Sequence, residues 1–165
     1  MLKVYVVKDM KLTQDSVFET KDFYKLLTKW FELNDFNFYE KEYLDTDETI
    51  GKRIEIYWTA EKGVNSYVKW VIDISLFILG LNKVEIEKGG VKTKTDKSTL
   101  TIQITAYMAK DYDGEWSNTA AKKSMRMIYD RFIIRKRLER LEGELKNQVD
   151  GLTDEIRSFL EMHKL

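Results

Sequence analysis

The stretch Tyr67-Val68-Lys69-Trp70-Val71-Ile72-Asp73-Ile74-Ser75-Leu76-Phe77-Ile78-Leu79 sets Val68, Trp70, Ile72, Ile74, Leu76 and Ile78 on one face. Alternation of this kind marks a strand with one side against a core. On its N-terminal side, Arg53 to Ala60 repeats the pattern, with Ile54, Ile56, Trp58 and Ala60 between Arg53, Glu55, Tyr57 and Thr59. If the Lys62-Gly63 turn has an odd loop or a bulge, Val68 lies opposite Trp58 and Trp70 opposite Ile56. On its C-terminal side, Gly89-Gly90 is a two-residue hairpin signal that places Glu87 opposite Lys92, Glu85 opposite Lys94 and Lys83 opposite Asp96. Val84, Ile86, Val91 and Thr93 take the other face, and a last strand, Thr99 to Lys110, turns Leu100, Ile102, Ile104, Ala106 and Met108 inward.

Further out, Phe36 to Tyr43 reads as a strand with Phe36 and Phe38 on one side and Asn37, Tyr39, Lys41 and Tyr43 on the other. An acidic loop from Asp45 to Gly51 follows it. Leu2 to Val7 reads as the first strand and Lys8 to Thr20 as a polar connection. Thr20 is placed to cap a helix whose Phe23, Leu26, Leu27, Trp30 and Phe31 form one apolar stripe, ended by Asn34-Asp35.

From Ser117 or Asn118 the period becomes helical, through Met125, Ile128 and Phe132 and on through Leu138, Leu141, Leu145, Val149, Leu152, Ile156 and Phe159. An unbroken helix over 118–163 would be roughly 70 Å long, against about 40 Å for a compact domain of this size. A bend is therefore expected, at Gly143 or, more readily, at Asp150-Gly151, where Asp150 can cap a new helix. Folding back there would carry Asp154, Glu155 and Glu161 towards the basic residues upstream. The expected fold class is α+β: a curved antiparallel sheet of five to seven strands packed against an N-terminal helix and a long C-terminal helix. Residues 1–141 form the domain and 142–165 a C-terminal helical extension with a coiled-coil-like seam.

With 165 residues, 43% hydrophobic and 34% charged, the chain suits one globular domain with a real core. No apolar run reaches the roughly 18 to 20 residues that cross a bilayer, and Met1-Leu2-Lys3 runs into a strand pattern rather than a signal peptide. The lack of cysteine removes disulfide and thiolate chemistry and favours the cytoplasm. No cofactor or metal is expected, since there is no glycine-rich phosphate loop and the single histidine, His163, falls at a chain end expected to fray. These absences favour a non-enzymatic role. An enzyme of this fold would need carboxylates, from among Glu40, Glu42, Glu55 and Asp73, or tyrosines facing a cavity.

Lysine plus arginine balance aspartate plus glutamate, 28 against 28, but residues 122–140 carry eight bases and two acids. Within this segment Arg131, Arg135, Lys136, Arg137 and Arg140 are candidates to bind phosphates or an anionic membrane surface. A solvated helix face neutralised by nearby acids accounts for the same letters, and the balanced total with no nucleic-acid-binding motif argues against nucleic acid. Asp111, Asp113 and Glu115 around Gly114 echo the start of a calcium loop, but the twelfth position is Lys122, and a glycine turn from strand to helix explains them equally. Among the aromatic residues, Trp58, Trp70, Tyr39, Tyr107 and Trp116 are the candidates to line a cavity for a hydrophobic or aromatic small molecule, with ordinary core packing as the alternative.

The order of strand Leu2 to Val7, helix Thr20 to Leu33, meander Phe36 to Lys110 and long helix from Asn118 resembles the START-like, or helix-grip, superfamily. Members of that superfamily wrap a curved sheet around a C-terminal helix and often hold hydrophobic ligands between the two. Two departures are the near absence of a helix around Asp15 and the extension beyond Gly143. The superfamily has no short motif to carry a ligand or catalytic residue to a position here, and it includes carriers and enzymes alike. The aromatic-rich sheet and the absence of catalytic sets lead to the expectation of a non-enzymatic domain that binds a hydrophobic or aromatic small molecule between sheet and C-terminal helix, the place the resemblance also implies. The Leu138 to Phe159 seam suggests a homo-oligomer through the C-terminal helix as an alternative, and the basic segment suggests an anionic partner.

Overall fold

A computed structural model describes residues 1–164. The chain is α+β, with five antiparallel strands: β1 (Leu2–Val17), β2 (Asn37–Glu48), β3 (Gly51–Gly63), β4 (Val68–Lys88) and β5 (Val91–Lys110). They form an open sheet in the order β1-β5-β4-β3-β2. Helix α1 (Thr20–Leu33) connects the two edge strands. Helix α2 (Ala120–Ile128), a π-turn (Tyr129–Ile133) and helix α3 (Arg135–Met162) follow the sheet.

The inward face of β4 is the one its alternation marks, with Val68, Trp70, Ile72, Ile74, Leu76 and Ile78 all buried. Matching positions of β3 and β5 join them in one core with Phe23, Leu27 and Phe31 of α1 and the apolar seam of α3. The hairpin register at Gly89-Gly90 is the expected one, with Glu87 opposite Lys92, Glu85 opposite Lys94 and Lys83 opposite Asp96. Of these pairs Lys83 and Asp96 close an ion pair at 2.7 Å.

The β3–β4 register differs from expectation. Trp58 faces Ile74 and Ala60 faces Ile72, because the connection is a four-residue loop rather than a tight turn at Lys62-Gly63. The Asn65 Oδ1 accepts from the backbone N–H groups of Tyr67 and Val68, which fixes the loop at residues 64–67 and moves the centre of the hairpin three residues along. Several strands are also longer than their sequence signals. β1 runs through the polar connection to Val17, because bulges between Tyr5 and Met10 re-phase it so that Met10 and Leu12 pack on the core. β2 likewise continues through the acidic loop to Glu48. A bulge between Glu40 and Glu42 puts Tyr43 opposite Ile56, on the core side rather than beside Tyr39. Thr20 is the first helical residue rather than the cap, a position held by Glu19 without a side-chain hydrogen bond.

The expected bend at Asp150-Gly151 is absent. α3 is continuous through Gly143 and Gly151, and the chain turns at Ile134, where φ is −115° and ψ 10°. Each glycine costs about 1 kcal/mol, while burying a leucine on the adjoining turn returns about 2 kcal/mol, and Leu141, Leu145, Val149 and Leu152 are all buried. Residues 142–162 therefore continue the core-facing helix, and Asp154, Glu155 and Glu161 do not approach the basic segment. The end of α3 is tied to β1: the Val17 N–H donates to the His163 carbonyl at 3.0 Å, and the His163 ring packs against Phe18 and Phe159 rather than fraying.

A Cβ at Gly143 or Gly151 meets no atom within 4 Å. Gly143→Ala and Gly151→Ala are each expected to raise stability by about 0.5–1 kcal/mol. Thermal and denaturant melts check this; destabilisation by either would place a working hinge in α3.

Candidate functional site

The segment between β5 and α3 is built inside out. α2 begins at Ala120, where the Thr119 Oγ1 caps it by accepting from the Lys122 N–H. The one buried side chain along α2 is a charged one, Arg126, whereas Met125, Met127 and Ile128 are exposed. In the π-turn the Ile134 N–H reaches back to the Tyr129 carbonyl at 3.1 Å. Phe132 and Ile133 there are 73% and 69% exposed.

What holds this platform down is polar. Asp111, 3% exposed, follows β5 with a left-handed φ of 50°. Its carboxylate accepts from the Trp116 N–H at 3.1 Å and from the Ser117 hydroxyl. The Arg126 Nη1 lies 3.5 Å from the same carboxylate and donates to Ser117 Oγ at 2.5 Å. Burial by itself raises the Asp111 pKa. The hydrogen bonds from Ser117 and Trp116, together with the positive charges of the amino terminus and Arg126, more than offset this and hold the carboxyl below its ordinary value.

A second polar cluster sits under the π-turn. Asp130 accepts from the Tyr67 hydroxyl at 2.7 Å and pairs with Lys110 Nζ at 2.8 Å. Burial, then the hydrogen bond to Asp130, push the Tyr67 phenol well above its ordinary range, so it does not serve as a base near neutral pH. Trp116 stacks on Tyr129 with their rings 6.5 Å apart and nearly parallel. Beside the platform lies an open cavity of about 490 Å³ bordered by Leu2, Lys110, Met127, Arg131 and Arg135.

The candidate cavity residues do not converge. Trp58 and Trp70 are buried on the core face, whereas Tyr39 is 49% exposed and pairs with Thr59 on the opposite face. Tyr107 belongs to a small cluster with Val71 and Ala109 on that outer face, and Trp116 is at the platform. Between sheet and α3, Ile72, Ile74, Ile102, Ile104 and Leu145 fill the layer. A smaller cleft of about 310 Å³ opens under the first turn of α1, bordered by Tyr24, Glu40, Tyr43, Ile56 and Trp58. Of the other strand carboxylates, Glu55 pairs with Arg53 at 2.6 Å and Asp73 accepts from the Thr59 hydroxyl at 2.6 Å.

The candidate anion-binding arginines divide in two. Arg135 pairs with Glu139 at 2.9 Å and Arg140 with Glu144 at 3.6 Å, one turn along α3. Arg131 and Arg137 have no acidic partner within 4 Å among the described residues; Arg131 lies over the Phe132 ring at 5.5 Å, and Arg137 borders a cavity with Tyr67 and Tyr129. Exposed Lys122, Lys123 and Lys136 likewise make no ion pair among the described residues. The Asp111 to Glu115 turn is the glycine turn, with Gly114 at φ 74°. No group of three acidic, histidine or cysteine side chains is placed to hold a metal among the described residues. Sequence reasoning singled out the basic residues but missed the exposed apolar ones between them, whose signal is the six-residue step from Phe132 to Leu138 in a pattern otherwise spaced by three and four.

Asp111→Asn keeps a residue that tolerates φ 50° but leaves Arg126 buried without its counter-charge. A stability loss of about 3 kcal/mol is expected at neutral pH. Because the folded pKa is depressed, the carboxylate stabilises the fold above its ordinary 3.8 and the contribution fades as pH falls through the lowered folded value. Denaturant melts between neutral pH and strong acid should therefore converge for the wild type and Asp111→Asn; parallel curves would exclude this role.

No family model matches the chain, and neither the curated proteins nor the solved structures searched contain a match.

Proposed function

We propose that the chain is a binding module that acts through the α2–π-turn platform rather than by catalysis. The observation that carries this is the inversion of α2, where an arginine is buried and the apolar side chains of the same segment face outward. A contiguous exposed apolar patch is a mark of a contact surface, and π-turns recur at functional positions. The polar groups beneath the platform are engaged with one another, Lys110 and Tyr67 with Asp130 and Arg126 with Asp111, which suits a scaffold more than proton transfer. No described helix is long and apolar enough to cross a membrane, and a cysteine-free chain suits a reducing compartment such as the cytoplasm.

If Ile128, Phe132 and Ile133 serve contact rather than folding, replacing all three by serine leaves stability within about 0.5 kcal/mol of the wild type. The folded variant also loses binding of an apolar fluorescent dye. A loss of about 2 kcal/mol or more would show that these side chains support the core, and the reading would fall.

A second reading is a site for a hydrophobic or aromatic small molecule, placed under α1 rather than between sheet and C-terminal helix as the helix-grip resemblance implies. It is supported by the cleft under α1, whose size falls at the lower end for ligand sites, and by the buried Trp58 indole N–H, which has no hydrogen-bond partner. Acetophenone, an aromatic ring with one acceptor, should shift the NMR signal of that N–H to lower field. An unmoved signal at saturating probe would dismiss this site.

A further inference from the structure

Resting on the platform reading, we propose that the surface it meets is an anionic lipid bilayer, with Ile128, Phe132 and Ile133 entering the interface and the bases around them facing the headgroups. Charge complementarity selects this occupant. Lys122, Lys123, Arg131, Lys136 and Arg137 flank the apolar residues on both sides in sequence, are exposed, and make no ion pair among the described residues. The acids of the segment are already committed, Asp130 to Lys110 and Glu139 to Arg135. Beyond it, the uncommitted opposing charges nearest along the chain are Glu142, five residues after Arg137 and on the border of the cavity beside Arg131, and Asp113 and Glu115 on the turn that leads to Trp116; five unpaired bases outnumber these three. An apolar face bordered by lysine and arginine is the pattern of a helix lying in a membrane interface, and each base near an anionic surface strengthens binding roughly fivefold.

Two further features fit a bilayer better than a second copy of the chain. The Trp116–Tyr129 stack places two amphipathic rings, 40% and 38% exposed, beside the apolar residues, where headgroup-level aromatics sit. A second copy meeting the platform face to face would bring its five unpaired bases against the same five, which opposes association. The bend at Ile134 matters here, because it separates the platform from the core-bound α3 and leaves its apolar residues free to enter the interface without unfolding the domain.

The test uses the full chain with vesicles of phosphatidylcholine alone and of phosphatidylcholine mixed with phosphatidylserine. Expected is co-sedimentation with the mixed vesicles, a blue shift of the tryptophan fluorescence that Trp116→Phe removes, and weakening with added salt. Arg131→Gln with Lys136→Gln and Arg137→Gln should lower affinity roughly a hundredfold, and Phe132→Ser with Ile133→Ser should abolish the blue shift while the melting temperature stays. No binding to mixed vesicles, or equal and salt-insensitive binding to both kinds, overturns the proposal. Self-association in light scattering that the serine pair removes, without vesicle binding, also overturns it and assigns the platform to a second copy, leaving the binding-module reading in place. Salt-sensitive binding of an oligonucleotide, unaffected by the serine pair and without vesicle binding, overturns both.

Discussion

The phase of the apolar pattern along the last third of the chain governs this molecule. From Leu138 onward the steps of three and four residues keep Leu141, Leu145, Val149, Leu152 and Ile156 on the side of α3 that lies against the sheet. Carried backwards at 100° per residue, that face does not contain Phe132, Ile128 or Met125. One helix cannot bury both sets. The chain satisfies the longer one, and the π-turn with the bend at Ile134 isolates the shorter one. α3, at 28 residues, is roughly 42 Å long, which already spans the domain.

Burying Arg126 follows from the same conflict. With its apolar residues facing out, α2 has little hydrophobic surface to offer the domain and must be retained by other means. The Asp111 carboxylate, fixed by Trp116, Ser117 and Arg126, and the Asp130 carboxylate, fixed by Tyr67 and Lys110, pin the two ends of the segment. A buried ion pair contributes little net stability but strongly penalises geometries that separate it. Holding a helix in one orientation while its apolar side faces away is a task for interactions of that type.

The sheet was legible in the sequence because period two is unambiguous wherever one face is buried. The inward side of β4 and the Gly89-Gly90 register were readable from the alternation and turn residues alone. Strand ends were less so: β1 and β2 carry bulges, and a bulge changes the face of every later residue without a fixed letter code. That is why Tyr43 was assigned to the wrong side and Lys8 to Val17 to a connection. The Trp58 register was missed because it depends on Asn65 ordering the loop, a local hydrogen-bond choice. Helix propensity points to the glycines for the α3 bend, yet tertiary burial overrides about 1 kcal/mol per glycine. As for the candidate site, its charges were legible and its apolar half was not, since the same letters read as one continuous seam.

The remaining surface sharpens the importance of the platform. Open sheets expose two strand edges, and an unguarded edge is an invitation to pair with another chain. Along β1 the charges Lys3, Lys8, Asp9, Lys11 and Asp15 disfavour strand addition, and only its end is paired, where Ser16 bridges Lys164 and Val17 donates to His163. At the other edge β2 carries Glu40, Lys41, Glu42, Asp45, Asp47 and Glu48, charges that disfavour strand addition. The other highly exposed apolar side chains, Leu33, Ile50, Val91 and Met162, are scattered over different parts of the chain, Ile50 beside Leu79 and Val84 at a shallow cavity, and none is held outward by a buried charge of its own segment. Where this fold could have left an adhesive edge it placed charge or covered it, and where a helix could have turned its apolar residues inward it buried an arginine instead. That contrast separates the platform from incidental exposure: the same chain that guards its edges holds Ile128, Phe132 and Ile133 outward with one buried and one half-buried carboxylate.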